Sequence, residues 1–203
     1  GEAKILENIN LNLKKNEMLG IRGKSGMGKS TLLKLIMRYY DPQKGALEMN
    51  GVDLKDLQTK NLRQNESFVA QRTYIFKDTI RKNLLVAKAD ATDEELDRAC
   101  KKASIYDFIQ SLPKGYDTYA GELGERFSAG EKQRLGLARA FLHDAPLMLF
   151  DEPTANIDSL NEGEILRAID KERANKAICI VSHRPSTFRI VDRFLDVVPA
   201  SKE

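Results

Sequence analysis

Short continuous apolar runs alternate with amphipathic stretches along this chain, and the two patterns predict different elements. Leu147-Met148-Leu149-Phe150 and Ala177-Ile178-Cys179-Ile180-Val181 are unbroken apolar runs, which suits strands covered on both faces of a parallel sheet. Residues 18–22 and 67–70 read as two more short strands. Near the start, Ile5, Ile9, Leu11 and Leu13, with Asn10 and Asn12 between the last three, have the period of two that predicts a half-buried strand over residues 4–13. Residues 31–39 place Leu32, Leu35, Ile36 and Tyr39 at helical spacing. A turn at 41–45 leads to a strand over 46–50, closed by Gly51, and residues 54–63 favour short helical turns.

From about residue 72 the pattern becomes mainly helical. A short helix is expected over 79–84. A second opens on Thr92 with Glu95 three residues on, a capping box, and continues through Leu96, Ala99, Cys100 and Ala103. A third over 105–111 is stopped by Pro113 and Gly115, and residues 116–127 read as a loop rich in glycine, with Gly121 and Gly124. Ser128 with Glu131 makes another capping box, opening a helix over 128–143 on an apolar stripe of Leu135, Ala138 and Leu142; a further helix covers 160–173. The alternation predicts one α/β domain over 1–203. Its core, at 1–71 and 128–203, is a mostly parallel sheet flanked by helices, with antiparallel β elements near the N-terminus; a helical subdomain and loop are inserted at 72–127.

Within this frame, GKSGMGKS at 23–30 lies between a strand and a helix and fits the phosphate-binding pattern G-x-x-x-x-G-K-[ST]. Gly23, Lys24, Ser25, Gly26, Met27 and Gly28 can turn their backbone N–H groups towards phosphate oxygens. Lys29 reaches the β- and γ-phosphates, Ser30 offers a hydroxyl to Mg²⁺, and Thr31 opens the helix whose positive end faces the anion. Gln71, Asp151 and His183, like Gly23, follow predicted strands, so four segments are expected at one sheet edge, where ligands of such sheets bind. Asp151 is placed to hold the metal and Glu152, one residue on, to act as general base on water. Gln71 suits the metal or that water, and His183 the γ-phosphate. His143, near the end of its helix, reads as structural.

Composition narrows the class without naming a substrate. The chain has 203 residues, enough for one well-packed domain. Its 33 basic and 30 acidic residues give a net charge of +3, and the basic groups are scattered, so no nucleic-acid surface is expected. Two cysteines are too few for a disulfide framework, and Cys179 reads as a buried thiol. No run approaches the ~18 apolar residues of a membrane span.

Taken together, these motifs resemble the nucleotide-binding domain of ABC transporters, in the exporter-type branch. FSAGEKQRLGLARA, 127–140, resembles the family signature and its helix, with Ser128 and Gly130 on its kept positions. LMLFDEPTANID, 147–158, resembles the second nucleotide-binding strand and the loop whose aspartate falls on Asp158. TIRKNL at 79–84 and TYAGELG at 118–124 resemble stretches of the exporter branch. The likeness runs from about Lys4 to Phe194. It implies a P-loop NTPase with a RecA-like sheet, ATP and Mg²⁺ as ligands, and hydrolysis at the interface of a head-to-tail dimer, homo- or heteromeric. In that dimer Ser128, Ala129, Gly130 and Glu131 would address the partner's nucleotide, and Ser128, Gly130 and Asp158 would lie in the interface. It also implies transmembrane domains as partners, on the same polypeptide or another, with the ATPase at the cytoplasmic face of the membrane and Tyr74, Ile75 and Phe76 towards those domains. A soluble ABC-type ATPase acting on ribosomes or DNA is the alternative.

Three departures bear on these expectations. Ala129 replaces a usual glycine, Glu131 a frequent glutamine, and Met27 a small loop residue whose side chain is expected to point outward. Glu131 sets an acid near an anion unless it turns to its own helix. Both ends read as cut: an adenine-stacking aromatic would fall before the first residue, and the closing turn and helix after the last strand are not found. The isolated chain is therefore expected to fold, to stay monomeric without ATP, and to bind ATP weakly.

Overall fold

The computed structural model describes residues 5–123 and 127–198. In chain order its elements are β1 (Met18–Arg22), α1 (Lys29–Ile36), β2 (Glu48–Met49), β3 (Val52–Asp53), α2 (Thr59–Asn65), β4 (Glu66–Val69), α3 (Ile80–Leu85), α4 (Asp93–Lys102), α5 (Tyr106–Ser111), α6 (Ala120–Leu123), α7 (Ala129–His143), β5 (Leu147–Asp151), α8 (Ser159–Glu172), β6 (Ala177–Val181) and β7 (Arg193–Asp196). The apolar runs form the inner strands of a five-stranded sheet in the order β4-β5-β6-β1-β7, parallel throughout. Met148, Leu149, Phe150, Ile178, Cys179 and Ile180 are fully buried, as strands with helices on both faces require.

Two apolar clusters fill the faces of that sheet. One lies between Leu19, Ile21 and Val181 on the strands and Leu32, Leu33 and Met37 on or just after α1. The helix therefore buries Leu33 and Met37 rather than Tyr39, which lies past its end and is half exposed. The other cluster runs from Phe150, Ile178 and Ile180 through Leu135, Ala138 and Phe141 of α7 into Leu96, Cys100, Ile105 and Ile109. The helical subdomain thus shares its core with the sheet. The cysteines are free and buried, and burial pushes both thiols up to about 12.

The N-terminal alternation survives as burial without a ladder. Ile9, Leu11 and Leu13 are half-buried against the first cluster and Asn10 and Asn12 are exposed, but no strand is formed over the described part of 4–13. Asn8 takes a positive φ of 55°, which interrupts an extended run. The antiparallel pairing lies later, where Glu48 faces Asp53 and Met49 faces Val52. Asn50 and Gly51 both have positive φ, 51° and 79°, the two-residue Asn-Gly turn suited to a hairpin. What reads as a strand closed by glycine is half of that hairpin.

The capping signals mark their helices closely. Thr92 and Ser128 each close a reciprocal box, with Glu95 and Glu131. In the stretch read as a loop, Tyr119 bridges Thr79 and residues 120–123 form the one-turn α6; Gly124 lies outside the described residues. Asn83 and Arg139 organise the segment before α3. The Arg139 guanidinium donates to the carbonyls of Tyr74 and Asn83 and to Asn83 Oδ1, while the Asn83 amide donates to the Phe76 and Thr79 carbonyls. Burial pulls Arg139 down to about 10.

At the opposite end of the sheet, Glu66 is 4% exposed, with Oε1 paired to Arg63 and Oε2 buried without a partner. Burial raises its carboxyl to about 7, against the pull of Arg63. The folded state therefore binds this proton more tightly than the unfolded chain. The resulting stability is fully present below the ordinary carboxylate range and is lost as pH rises through about 7. Melting between about pH 5 and about pH 8 should show a falling midpoint, and Glu66→Gln should flatten that slope, with its gain at the alkaline end. Parallel melting curves for the two proteins would remove Glu66 as the source. His143, between the carbonyls of Ala87 and Arg63, belongs to this end as well.

Candidate active site

Strand register brings the expected segments to one edge. Val69, Phe150, Ile180 and Gly20 lie in one row across β4, β5, β6 and β1, and Asp151, Val181 and Ile21 in the next. Gln71, Glu152, His183 and Gly23 each follow within two residues of that row. Neighbouring strands are about 4.8 Å apart, so the four segments open into one shallow edge.

At that edge, residues 23–26 are exposed and 27–31 half-buried. Gly28 caps α1 at φ 90° and ψ 10°, and a Cβ there would come within 2.9 Å of Ile5 and Leu6 side-chain carbons. Both the backbone angle and the space demand glycine. Lys29 Nζ donates to the carbonyls of Gly23 at 2.8 Å and Lys24 at 2.9 Å. Two of its three donors thus fix the ammonium inside the loop. Met27 does not point outward: it is half-buried and packs with Leu6 against the cluster under β1, which costs an apolar side chain less than exposure.

Glu152 is the most constrained residue of the edge. It is 9% exposed and takes a φ of 51°, left-handed for a non-glycine residue. Its N–H donates to the Val181 carbonyl at 2.9 Å and its own carbonyl accepts from Gln133 Nε2 at 2.6 Å. Oε1 lies 2.9 Å from His183 Nδ1, and Oε2 is buried with no partner. An ionised carboxylate only accepts, which assigns the shared proton to Nδ1 of His183, whose side chain is 73% exposed. Asp151 is buried beside it, 6% exposed, and Gln71 is exposed after β4.

Those residues also fit a phosphate-bound Mg²⁺. Among the described residues no group of three or more His, Cys, Asp or Glu could hold a metal alone. The hydroxyl of Ser30, the amide oxygen of Gln71 and the carboxylate of Asp151 are hard oxygen donors, short of a full set. Magnesium typically completes such a set with phosphate oxygens and water.

The remaining candidates form a second group. Ser128, Ala129, Gly130, Arg134, Asn156, Ile157 and Asp158 line a cavity of about 360 Å³. Ser128 Oγ accepts from the Glu131 N–H at 3.2 Å, and Glu131 Oε2 accepts from the Ser128 N–H at 2.7 Å. Glu131 therefore serves its own helix end, where the macrodipole favours an acid. Asp158 caps α8 through the N–H groups of Leu160 and Asn161, and its hydrogen bonds to Asn161 hold its carboxyl below the usual range. Among the described residues no hydrogen bond joins this group to the phosphate loop directly. The group is joined instead to the backbone of Glu152, through Gln133, a residue missed in the sequence. The available signal is its place on the buried face of α7, four residues before Leu137, where an amide interrupts an apolar stripe.

Strand β1, its glycine-rich loop and the acids ending β5 place the protein among phosphate-loop ATPase domains. A sequence profile of the ABC transporter family matches residues 6–155, and the chain belongs to that family, as an ATP-binding domain of the exporter-type branch. It is 54% identical over 197 residues to a Haemophilus influenzae protein called "Probable ABC transporter ATP-binding/permease protein", covering 97% of this chain and 36% of that one. It is 41% identical to an ATP-dependent lipid A-core flippase of Desulfotalea psychrophila, with 97% and 34% covered. The structure of a bacterial Atm1-family ABC exporter with ATP bound superposes with a TM-score of 0.90 at 36% identity, covering 96% of this chain and 34% of that one. The chain thus spans about a third of the length of these relatives. Among its described residues no helix is long and apolar enough to cross a membrane.

Proposed function

We propose that this chain binds MgATP between its own phosphate loop and the signature group of a second ABC ATPase domain, hydrolyses it there, and so powers export by partner transmembrane domains at the cytoplasmic face of a membrane. One observation carries the reading: Glu152 has one carboxylate oxygen held by His183 and the other buried and unpartnered, at the sheet edge that also carries the phosphate loop. That is the arrangement a general base for water needs, since one oxygen is oriented and the other is left to take the proton. Lys29 binds the β- and γ-phosphates from its anchored position. Ser30, Gln71 and Asp151 are the residues that would hold Mg²⁺, which when bound neutralises charge on the phosphate oxygens. His183 orients Glu152 and faces the γ-phosphate through Nε2.

Two separate groups of residues support the head-to-tail dimer. The Ser128 hydroxyl and the first N–H groups of α7 form an anion-binding end. They open into the cavity with Asp158, without a direct bond to the chain's own phosphate loop. Each group therefore supplies half of a site, and ATP between two chains completes both. On this reading the α/β core is 1–71 and 128–203, and the helical subdomain with its loop is 72–127. Tyr74 and Phe76, 68% and 44% exposed and stacked edge to face, form with half-buried Ile75 the surface offered to the membrane domains.

Lys29→Ala tests the nucleotide site at its centre. Removing the ammonium should weaken MgATP binding by about tenfold or more, through loss of charge-assisted phosphate contacts. Calorimetric titration giving the parental affinity would overturn the assignment of this loop to ATP.

A further inference from the structure

Gln133 is 1% exposed, and both ends of its amide are used. Its Nε2 donates to the Glu152 carbonyl at 2.6 Å. Its Oε1 accepts from the N–H of Asn156 at 3.2 Å and from Asn156 Nδ2 at 3.3 Å. A buried amide with all of these contacts has one orientation, because reversing it would set Nε2 against donors and Oε1 against a carbonyl. The bond matters at Glu152 because of the backbone there. At φ 51° an L residue occupies a region that surrounding contacts must hold, and the Val181 and Gln133 bonds hold the peptide groups on either side of the Glu152 Cα.

We propose that Gln133 is a positioning residue for ATP hydrolysis: it locks the left-handed backbone of Glu152 and ties it to the Asn156 loop that walls the signature cavity. The proposal rests on the reading of Glu152 as general base. Gln133 is buried behind Glu152 and acts through the angle at which Glu152 leaves the strand. Its second contact gives the position a wider consequence. The Asn156 carbonyl lies against Gly130 so closely that a Cβ on Gly130 would meet it at 2.7 Å. Arg184 donates to the carbonyls of Ala155 and Ile157 on either side. One buried amide therefore joins the wall of the signature cavity to the backbone of the base in the same chain. A nucleotide pressing on the signature end of α7 is thereby coupled to the geometry of Glu152.

The test uses the full-length transporter with its membrane domains, measuring kcat, KM for ATP and thermal midpoint. Gln133→Met keeps length and apolar packing and removes both polar ends. It should lower kcat by about tenfold or more while KM stays within about twofold and the midpoint is little changed. Gln133→Glu keeps an acceptor for Asn156 but sets an oxygen against the Glu152 carbonyl, and kcat should fall as far. A Met variant with parental kcat would show that only packing is needed and would overturn the proposal. So would a fall in kcat matched by a rise in KM or by loss of the fold, which would make Gln133 a general structural support. A Glu variant with parental kcat would move the role to Asn156 and likewise overturn the hold on Glu152. Glu152→Gln is run beside them. Parental turnover in that variant would sink the general-base reading itself, a different failure from an active Gln133→Met.

Discussion

Glu152→Gln is expected to lower ATP turnover by about a hundredfold or more while leaving MgATP binding close to that of the parent. The substitution keeps the volume of the side chain and an oxygen for the His183 Nδ1 proton, 2.9 Å away in the parent. It removes the basicity of the second oxygen, which is buried and has no other partner. The phosphate loop is separate from this change: Lys29 is anchored by Gly23 and Lys24, and neither contacts the substituted group. Binding without turnover should stabilise the closed pair of domains, because the γ-phosphate that bridges the halves persists. Single-turnover hydrolysis and size-exclusion in MgATP, with the membrane partner present for the kinetics, read the two effects separately. Turnover within twofold of the parent would return Glu152 to an ordinary strand-end acid.

Much of this site was legible because its residues are tied to local patterns. The apolar runs at 147–150 and 177–181 carry their own ends, and the acids and His183 follow those ends directly. Ser128 with Glu131 and Thr92 with Glu95 mark helix starts through chemistry contained within four residues. What escaped depends on partners distant in sequence. Gln133 is one amide in a helix until the fold sets it against Glu152 and Asn156, 19 and 23 residues on. Met27 reads as a loop residue free to point outward until Leu6 and the cluster below β1 are seen to receive it. The alternation over 4–13 predicts a face correctly and a ladder wrongly, since periodicity reports burial and says nothing of whether a strand runs alongside. Asn50-Gly51 is a local signal misread as a strand end, although its dipeptide favours a tight hairpin.

Gly130→Val should reduce transport-coupled ATP turnover by ~10-fold to ~100-fold, the range expected when donors to a phosphate are displaced. The side chain meets backbone, not a flexible neighbour, since even a Cβ at Gly130 lies 2.7 Å from the Asn156 carbonyl. That carbonyl has little room to yield. Its own residue is held through N–H by Gln133, and Arg184 fixes the peptide carbonyls on both sides while pairing with Glu162 at 2.7 Å. The strain must therefore be relieved by the first turn of α7, which carries Ser128, its capping bonds with Glu131 and the N–H groups at the mouth of the cavity. The phosphate loop has no part in this displacement, so MgATP affinity of the isolated domain should stay within about threefold of the parent while turnover in the assembled transporter falls. Gly130→Ala, with one methyl in the same place, should show the same split more weakly. Matched losses of affinity and turnover would mean that the damage spreads through the fold. Full turnover in the valine variant would show that the start of α7 does not need its present position, and the assignment of the signature group to a second nucleotide would fall with it.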